Sequence, residues 1–247
     1  MIFVGTSGWQ YDHWRGGFYP RDVAKRQWLT WFAERFATVE SNNAFYRLPE
    51  RKTFADWRAR TPDDFVFAVK MSRYLTHVKR LREPAEPVAR FLDRVAGLEA
   101  KLGPVLLQLP PTLRAAPDLL AATLREMPPT VRVAVEPRHA SWWSDEVHEV
   151  LSKHGAALCW ADRRSRPVTP LWRTAEFGYL RLHQGRQRPG YGGGALTSWV
   201  ARIRQAFPTT QDTYVYFNND PEGAAPGDAV RFARIATGRG IAVSRTG

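Results

Sequence analysis

Cysteine is almost absent from this chain: among 247 residues there is one, Cys159. A single thiol makes no intramolecular disulfide and cannot supply a cysteine-based structural zinc site. No apolar run approaches the roughly 18 residues that span a bilayer. The opening Met1-Ile2-Phe3-Val4-Gly5 is apolar but short and has no basic flank, so it does not read as a signal peptide. The expected compartment is the cytoplasm, with no membrane partner. Internal repeats, low-complexity tracts and linker-like stretches are missing too. Glycine and proline, 18 each, are spread along the whole chain, which predicts one domain over residues 1–247. There is no Walker A pattern, and Gly5-Thr6-Ser7-Gly8-Trp9 is too short for the dinucleotide-binding G-x-G-x-x-G. No H-x-H or H-E-x-x-H metal spacing occurs, and nothing in the sequence names a cofactor.

Acidic residues are scarce against basic ones. Lys and Arg number 36, Asp and Glu 24, for a formal charge of +12. A basic surface attracts anionic partners, so the expected ligand is an anionic small molecule or a nucleic acid. Oligomeric state is not readable. The other proportions, 44% hydrophobic and 24% charged, are those of a globular protein.

Short apolar runs alternate with amphipathic patterns. The runs are residues 2–6, 38–41, 65–70, 105–109, 131–136, 157–161, 178–182 and 213–217, brief and rich in Val, Leu and aromatics, as strands buried on both faces are. Between them, apolar stripes at 3-and-4 spacing predict helices around Trp28–Phe36, Val88–Leu98, Leu119–Leu124, Val147–Leu151, Leu196–Ile203 and Val230–Ile235. Ser144 precedes the fourth as an N-cap. Residues 55–60 are expected to be helical, whereas 163–173, with Pro167 and Pro170, are not. Eight strands alternating with helices in this length predict a single-domain α/β TIM barrel, (β/α)8, with parallel strands.

Such a barrel carries its site at the C-terminal strand ends, and all eight runs stop at a polar or ionisable group: Ser7 with Trp9, then Glu40 with Asn42, Lys70, Gln108, Glu136 with Arg138, Asp162, Arg181 with His183, and Asn218. Alternation sets the facing. Lys70 shares a face with Ala68, Glu136 with Ala134, and Arg181 and His183 with Tyr179. A small residue beneath a long charged one leaves room for the charged groups to converge.

Two carboxylates and an ammonium in one partly dry mouth perturb each other's proton affinities and suit acid–base work. The sequence therefore predicts Glu40, Lys70, Glu136 and His183 as catalytic groups. Ser7, Trp9, Asn42, Gln108, Arg138, Asp162, Arg181 and Asn218 are expected to bind substrate. Lys70 is expected to pair with Glu40. A divalent-metal site on Glu40, Glu136, Asp162 and His183, and a Schiff-base role for Lys70, are the less economical alternatives. Basic runs follow three strands: Lys79, Arg80 and Arg82; Arg163, Arg164 and Arg166; Arg186 and Arg188. They predict a positive rim that would suit phosphates or a nucleic-acid backbone.

Several of these motifs occur together in one known family. Gly5-Thr6-Ser7-Gly8-Trp9 with Tyr11, Trp14 and Phe18-Tyr19-Pro20 resembles the opening of the YecE-like family, domain of unknown function 72. So do Val39-Glu40-Ser41-Asn42-Asn43-Ala44-Phe45-Tyr46, Phe67-Ala68-Val69-Lys70, Thr76-His77, Leu106-Leu107-Gln108-Leu109-Pro110-Pro111, Glu136-Pro137-Arg138-His139-Ala140-Ser141-Trp142 and Tyr216-Phe217-Asn218-Asn219. The resemblance runs end to end; it implies a TIM barrel and no established activity. The chain departs from the family's E-F-R-H-P-S-W at Pro137 and Ala140, and from its L-H-G-R by Gln184 between His183 and Gly185. On the residues and the resemblance together, the expected function is acid–base chemistry (hydrolysis, lysis or isomerisation) on an anionic phosphate- or sugar-bearing substrate. The alternative is nucleic-acid binding by the basic rim.

Overall fold

The structure, a computed structural model, describes residues 1–186 and 190–247. Strands form where the sequence alternates or runs apolar: β1 (Ile2–Thr6), β2 (Thr38–Ser41), β3 (Val66–Lys70), β4 (Leu102–Gln108), β5 (Val133–Glu136), β6 (Ala157–Leu158), β7 (Trp160–Arg163), β8 (Arg166–Pro167), β9 (Gly178–Leu182) and β10 (Thr213–Phe217). Helices follow: α1 (Trp28–Arg35), α2 (Asn43–Tyr46), α3 (Arg51–Ala59), α4 (Ala85–Val95), α5 (Pro117–Arg125), α6 (Asp145–Lys153), α7 (Gly193–Ala206) and α8 (Ala224–Thr237). Each predicted stripe lies on one of them, apart from Phe36, just past α1, and Leu98, on the 3-10 turn that follows α4. Ser144 caps α6 through its hydroxyl, which accepts from the Val147 amide at 3.4 Å. Two local elements carry no stripe and were not foreseen: the one-turn α2 and a π-helical turn at Tyr74–Val78.

The strands make two five-stranded sheets, β2-β3-β4-β5-β6 and β1-β10-β9-β7-β8. The first is wholly parallel; the second is parallel except for β8, which folds back antiparallel on β7. The single closed ring of eight parallel strands read from the sequence is thus resolved as two sheets with two seams. At one seam the run expected over 157–161 breaks at Cys159. The amides of Leu158 and Ala161 donate to the hydroxyls of Thr174 and Thr169, at 2.9 and 3.0 Å, instead of to a neighbouring strand. Side-chain acceptors of this kind compete directly with a sheet ladder. β6 therefore pairs with β5, and β7 with β9. At the other seam β1 meets β2 through a lone parallel bridge between Ser7 and Glu40, with the Gly8 amide donating to the Glu40 carbonyl at 2.8 Å. Gly5 permits that approach, since a Cβ there would lie 2.2 Å from the Thr38 carbonyl oxygen.

Two apolar layers result. The larger lies between helices and strands and takes the outward residues of each strand, such as Val69, Leu107, Val135, Leu180 and Phe217. The smaller is contributed by the opposite faces of both sheets: Ala68, Leu106, Ala134, Ala157, Cys159, Tyr179, Tyr214 and Tyr216, with Phe177. Lys70, Gln108, Glu136 and Arg181 stand one step further along those same faces, at the C-terminal strand ends. Alternation thus delivers four polar side chains to one end, above a floor of small and aromatic residues.

Candidate functional site

Arg181 is the centre of the cluster. It is fully buried and bridges both carboxylates: Nη1 donates to Glu136 Oε2 at 2.7 Å, Nη2 to Glu40 Oε1 at 2.8 Å, and Nε to the same oxygen at 3.2 Å. Burial opposes its charge, but Glu136 and Glu40 outweigh burial and hold the guanidinium protonated. Around Glu40 both carboxylate oxygens are engaged. The Ser7 hydroxyl donates to Oε1, and the Tyr179 phenol donates to Oε2 at 2.7 Å. Asn42 Nδ2 in turn donates to Ser7 Oγ at 2.8 Å. Burial and the Glu40 charge push the Tyr179 phenol well up, which keeps it a donor.

Glu136 is held differently, for it also borders a cavity. Oε2 accepts from Gln108 Nε2 at 2.6 Å as well as from Arg181. Oε1 lies 3.0 Å from His183 Nε2 and 3.4 Å from Arg138 Nη2. Burial would raise this carboxyl, yet Arg181, His183 and Arg138 together hold it well below the usual carboxylate range. Asn218 bonds His183 Nδ1 at 2.8 Å. Its amide can donate to a neutral imidazole or, turned over, accept from an imidazolium. This chain of Asn218, His183 and Glu136 forms one wall of a cavity of about 900 Å3, whose other walls include Arg138, Trp143, Arg163, Thr169 and Gln184.

Lys70 is brought to the same end but not into the hydrogen-bonded network. Its ammonium sits 3.7 Å from the centroid of Phe45, on α2, and among the described residues it makes no hydrogen bond or ion pair. The expected pairing with Glu40 does not form because Arg181 already occupies that carboxylate. Burial, reinforced by Arg181, pulls Lys70 down to about 7 despite the opposing pull of Glu40 and Glu136. His77, on the π-helical turn, stacks edge-on to Phe45 at 4.9 Å; burial and then Lys70 push it down to about 4.

Two sequence-predicted residues stand apart. Asp162 faces the other side of β7, fully buried, where it accepts from the Tyr191 hydroxyl and from Trp199 Nε1 at 2.8 Å. It ties α7 to the sheet. Trp9 packs on Trp57 and Phe67, at 5.1 and 6.4 Å, and borders a separate cavity of about 600 Å3 with Tyr11, Asn42 and Tyr46. Among the described residues, no three His, Cys, Asp or Glu side chains gather as a metal ion needs, for Arg181 fills the space between the carboxylates. Of the basic runs, Lys79 pairs with Glu83 and Arg80 donates to the Thr112 carbonyl. Arg163, Arg164 and Arg166 stand exposed on the β7–β8 hairpin, and Arg188 lies outside the described residues. Reading from sequence missed Tyr179 as a carboxylate ligand and Phe45 as the seat of Lys70. The first was signalled by its shared face with Arg181; the second depends on a one-turn helix with no stripe to announce it.

A parallel α/β architecture with a buried carboxylate–arginine cluster under an open cavity at its strand ends defines the class. Within that class the chain belongs to the family described as "Protein of unknown function DUF72", whose model matches residues 3–245. It is 31% identical over 174 residues to the UPF0759 protein YecE of Escherichia coli K12, a match covering 68% of this chain and 61% of that protein. The counterpart from Escherichia coli O157:H7 is also 31% identical, over 158 residues, 63% of this chain and 55% of its own length. The chain thus spans less than two thirds of these relatives. The crystal structure of a DUF72 family protein from Thermotoga maritima superposes with a TM-score of 0.82 at 28% identity, covering 96% of this chain and 99% of that one. A DUF72 family protein from Enterococcus faecalis shares the fold, with a TM-score of 0.79 at 19% identity over 96% of each chain.

Proposed function

We propose that the two sheets wrap into a (β/α)8 barrel, and that the protein is an enzyme performing acid–base chemistry on an anionic, phosphate- or sugar-bearing small molecule. The bridge at Ser7 and Glu40 and the apolar cluster shared by both sheets support the barrel. The observation that carries the chemistry is the Asn218–His183–Glu136 chain on the wall of a cavity large enough for a metabolite. His183 is the group that takes up and gives back a proton there, at Nδ1, since Nε2 is held by Glu136; the substrate reaches Nδ1 by displacing the Asn218 amide. Glu136 stabilises the imidazolium, and Asn218 can satisfy either ring state. Arg138 and Arg163 meet the substrate's negative charge, while Gln184 and Asn218 are placed to bond its hydroxyls. Glu40, Arg181, Tyr179, Ser7 and Gln108 act one layer below, fixing Glu136. The single thiol, and the lack among the described residues of a helix long and apolar enough to cross a membrane, suit work in the cytoplasm.

The reading is tested by incubating wild type, Glu136→Gln and His183→Asn with a panel of sugar phosphates, phosphate esters and glycosides, followed by NMR. Turnover by wild type that both substitutions abolish, with circular dichroism unchanged, is the expected result. Turnover that survives Glu136→Gln removes the carboxylate from the mechanism; binding without turnover makes this a ligand-binding barrel. A second reading, nucleic-acid binding, draws support from the exposed arginines of the β7–β8 hairpin. It requires affinity to fall by roughly 0.7–0.9 log units per log unit of salt for each phosphate contact.

A further inference from the structure

The β7–β8 hairpin has two sides. Arg163 belongs to the wall of the cavity over Glu136. Arg164, Ser165 and Arg166 turn to a second cavity of about 750 Å3, which no part of the proposed chemistry uses. The two cavities are neighbours along three loops: Arg163 and Arg164, Gln184 and Arg186, and Pro221 and Glu222 are divided between them. The Ser165 amide donates to the Gln184 carbonyl at 3.2 Å, which fixes the hairpin to the loop after β9.

The second cavity is strongly positive. Arg164, Arg166, Arg186 and Arg231 line it, against one carboxylate, Glu222. Arg231 is partly neutralised by Asp228 and also donates to the Tyr191 carbonyl. Arg164, Arg166 and Arg186 form no ion pair among the described residues. Such cations held round a concave space repel one another unless an anion joins them. The start of α7 opens on the same space. Gly192 caps it, and Gly193 and Gly194 begin it; a Cβ built on any of the three would meet nothing within 4 Å. The first-turn amides of a helix have no intrahelical acceptor and carry the positive end of its dipole.

We infer that this arginine-lined cavity binds a phosphate monoester. Guanidinium forks match the oxygens of a phosphate two at a time, and a monoester dianion can be shared by several of them. A concave pocket with cations on opposing walls suits a terminal phosphate better than a polynucleotide backbone, which needs an extended track. Binding here stands on its own. The further step, that the phosphate belongs to the same substrate whose other end reaches His183 round the hairpin, rests on the function proposed above.

The test is calorimetric titration with inorganic phosphate and with ribose 5-phosphate at about 50 mM salt. The proteins are wild type, Glu136→Gln, Arg186→Gln and the double variant Arg164→Asn/Arg166→Gln. Asparagine is chosen at 164 because it tolerates the positive φ of that residue, 52°. Wild type should bind one equivalent, more tightly as pH rises through about 6, where a monoester loses its second proton. Affinity should fall at least tenfold in the double variant and in Arg186→Gln, and that for inorganic phosphate, too small to reach Glu136, should stay within about twofold in Glu136→Gln. Three results overturn the inference: no saturable binding by wild type; binding lost in Glu136→Gln but kept in the arginine variants, which puts the anion over Glu136; or an oligonucleotide without terminal phosphates that binds through these arginines while the monoesters do not compete.

Discussion

Lys70 is the cation left over when Arg181 has taken both carboxylates, and that has a measurable cost. Its ammonium is pulled from an ordinary 10.5 to about 7 by burial. Between those values the unfolded chain holds a proton the native state lacks, so stability rises with pH from about 7 to about 10. The penalty is fully present below about 7 and gone above about 10.5. Lys70→Met, which keeps the contact with Phe45 and removes the charge, should stabilise the protein at pH 6 by about 2–4 kcal/mol. The gain should vanish near pH 10; urea titrations at the two pH values measure it. Arg181 is the opposite case. Arg181→Met leaves Glu40 and Glu136 without the buried guanidinium that joins them, and should cost about 3–5 kcal/mol. Arg138→Met, whose side chain is 41% exposed, should cost within about 1 kcal/mol. Alternation made Lys70, Gln108, Glu136 and Arg181 legible as residues of one face. Which of them would touch was not legible, because β2 and β9 meet across the space between the sheets, 141 residues apart in sequence.

The β7–β8 hairpin shows how an element can hide in a stretch with no periodicity. Its loop is two residues, Arg164 and Ser165, with φ of 52° and 60°. Both lie in the left-handed region of a two-residue hairpin turn, where Asn-Gly is preferred. Arg164→Asn with Ser165→Gly should therefore raise the melting temperature by roughly 2–4 °C if the relief reaches about 1 kcal/mol. Differential scanning calorimetry decides the sign. Helices were legible because their apolar stripes are local. The hairpin was not, since its strands pair at only two positions and its turn is built from residues that ordinarily avoid that conformation. The break at Cys159 was hidden for a similar reason: it depends on the hydroxyls of Thr169 and Thr174, ten or more residues downstream.

At the level of the molecule, the two sheets must behave as one body if their shared apolar cluster holds them. Urea unfolding followed by tryptophan fluorescence and by far-ultraviolet dichroism should then give coincident transitions. Two separate midpoints would divide the chain into independent halves. The eight apolar runs were readable from the sequence, since such runs announce themselves; the split of the sixth at Cys159 and the addition of β8, which make ten strands among the described residues, were not. Nor were the seams, because they turn on close contacts between residues distant in sequence, such as Gly5 against Thr38. Gly5→Ala should prevent β1 from closing on β2 and yield insoluble protein, checked by expression at low temperature. The lone thiol, Cys159, lies wholly buried at the other seam, and burial pushes its proton affinity well up. A disulfide reagent cannot reach it while the seam is shut. The rate at which such a reagent colours the solution is therefore a clock for the opening of the native state, built into the protein and needing no label.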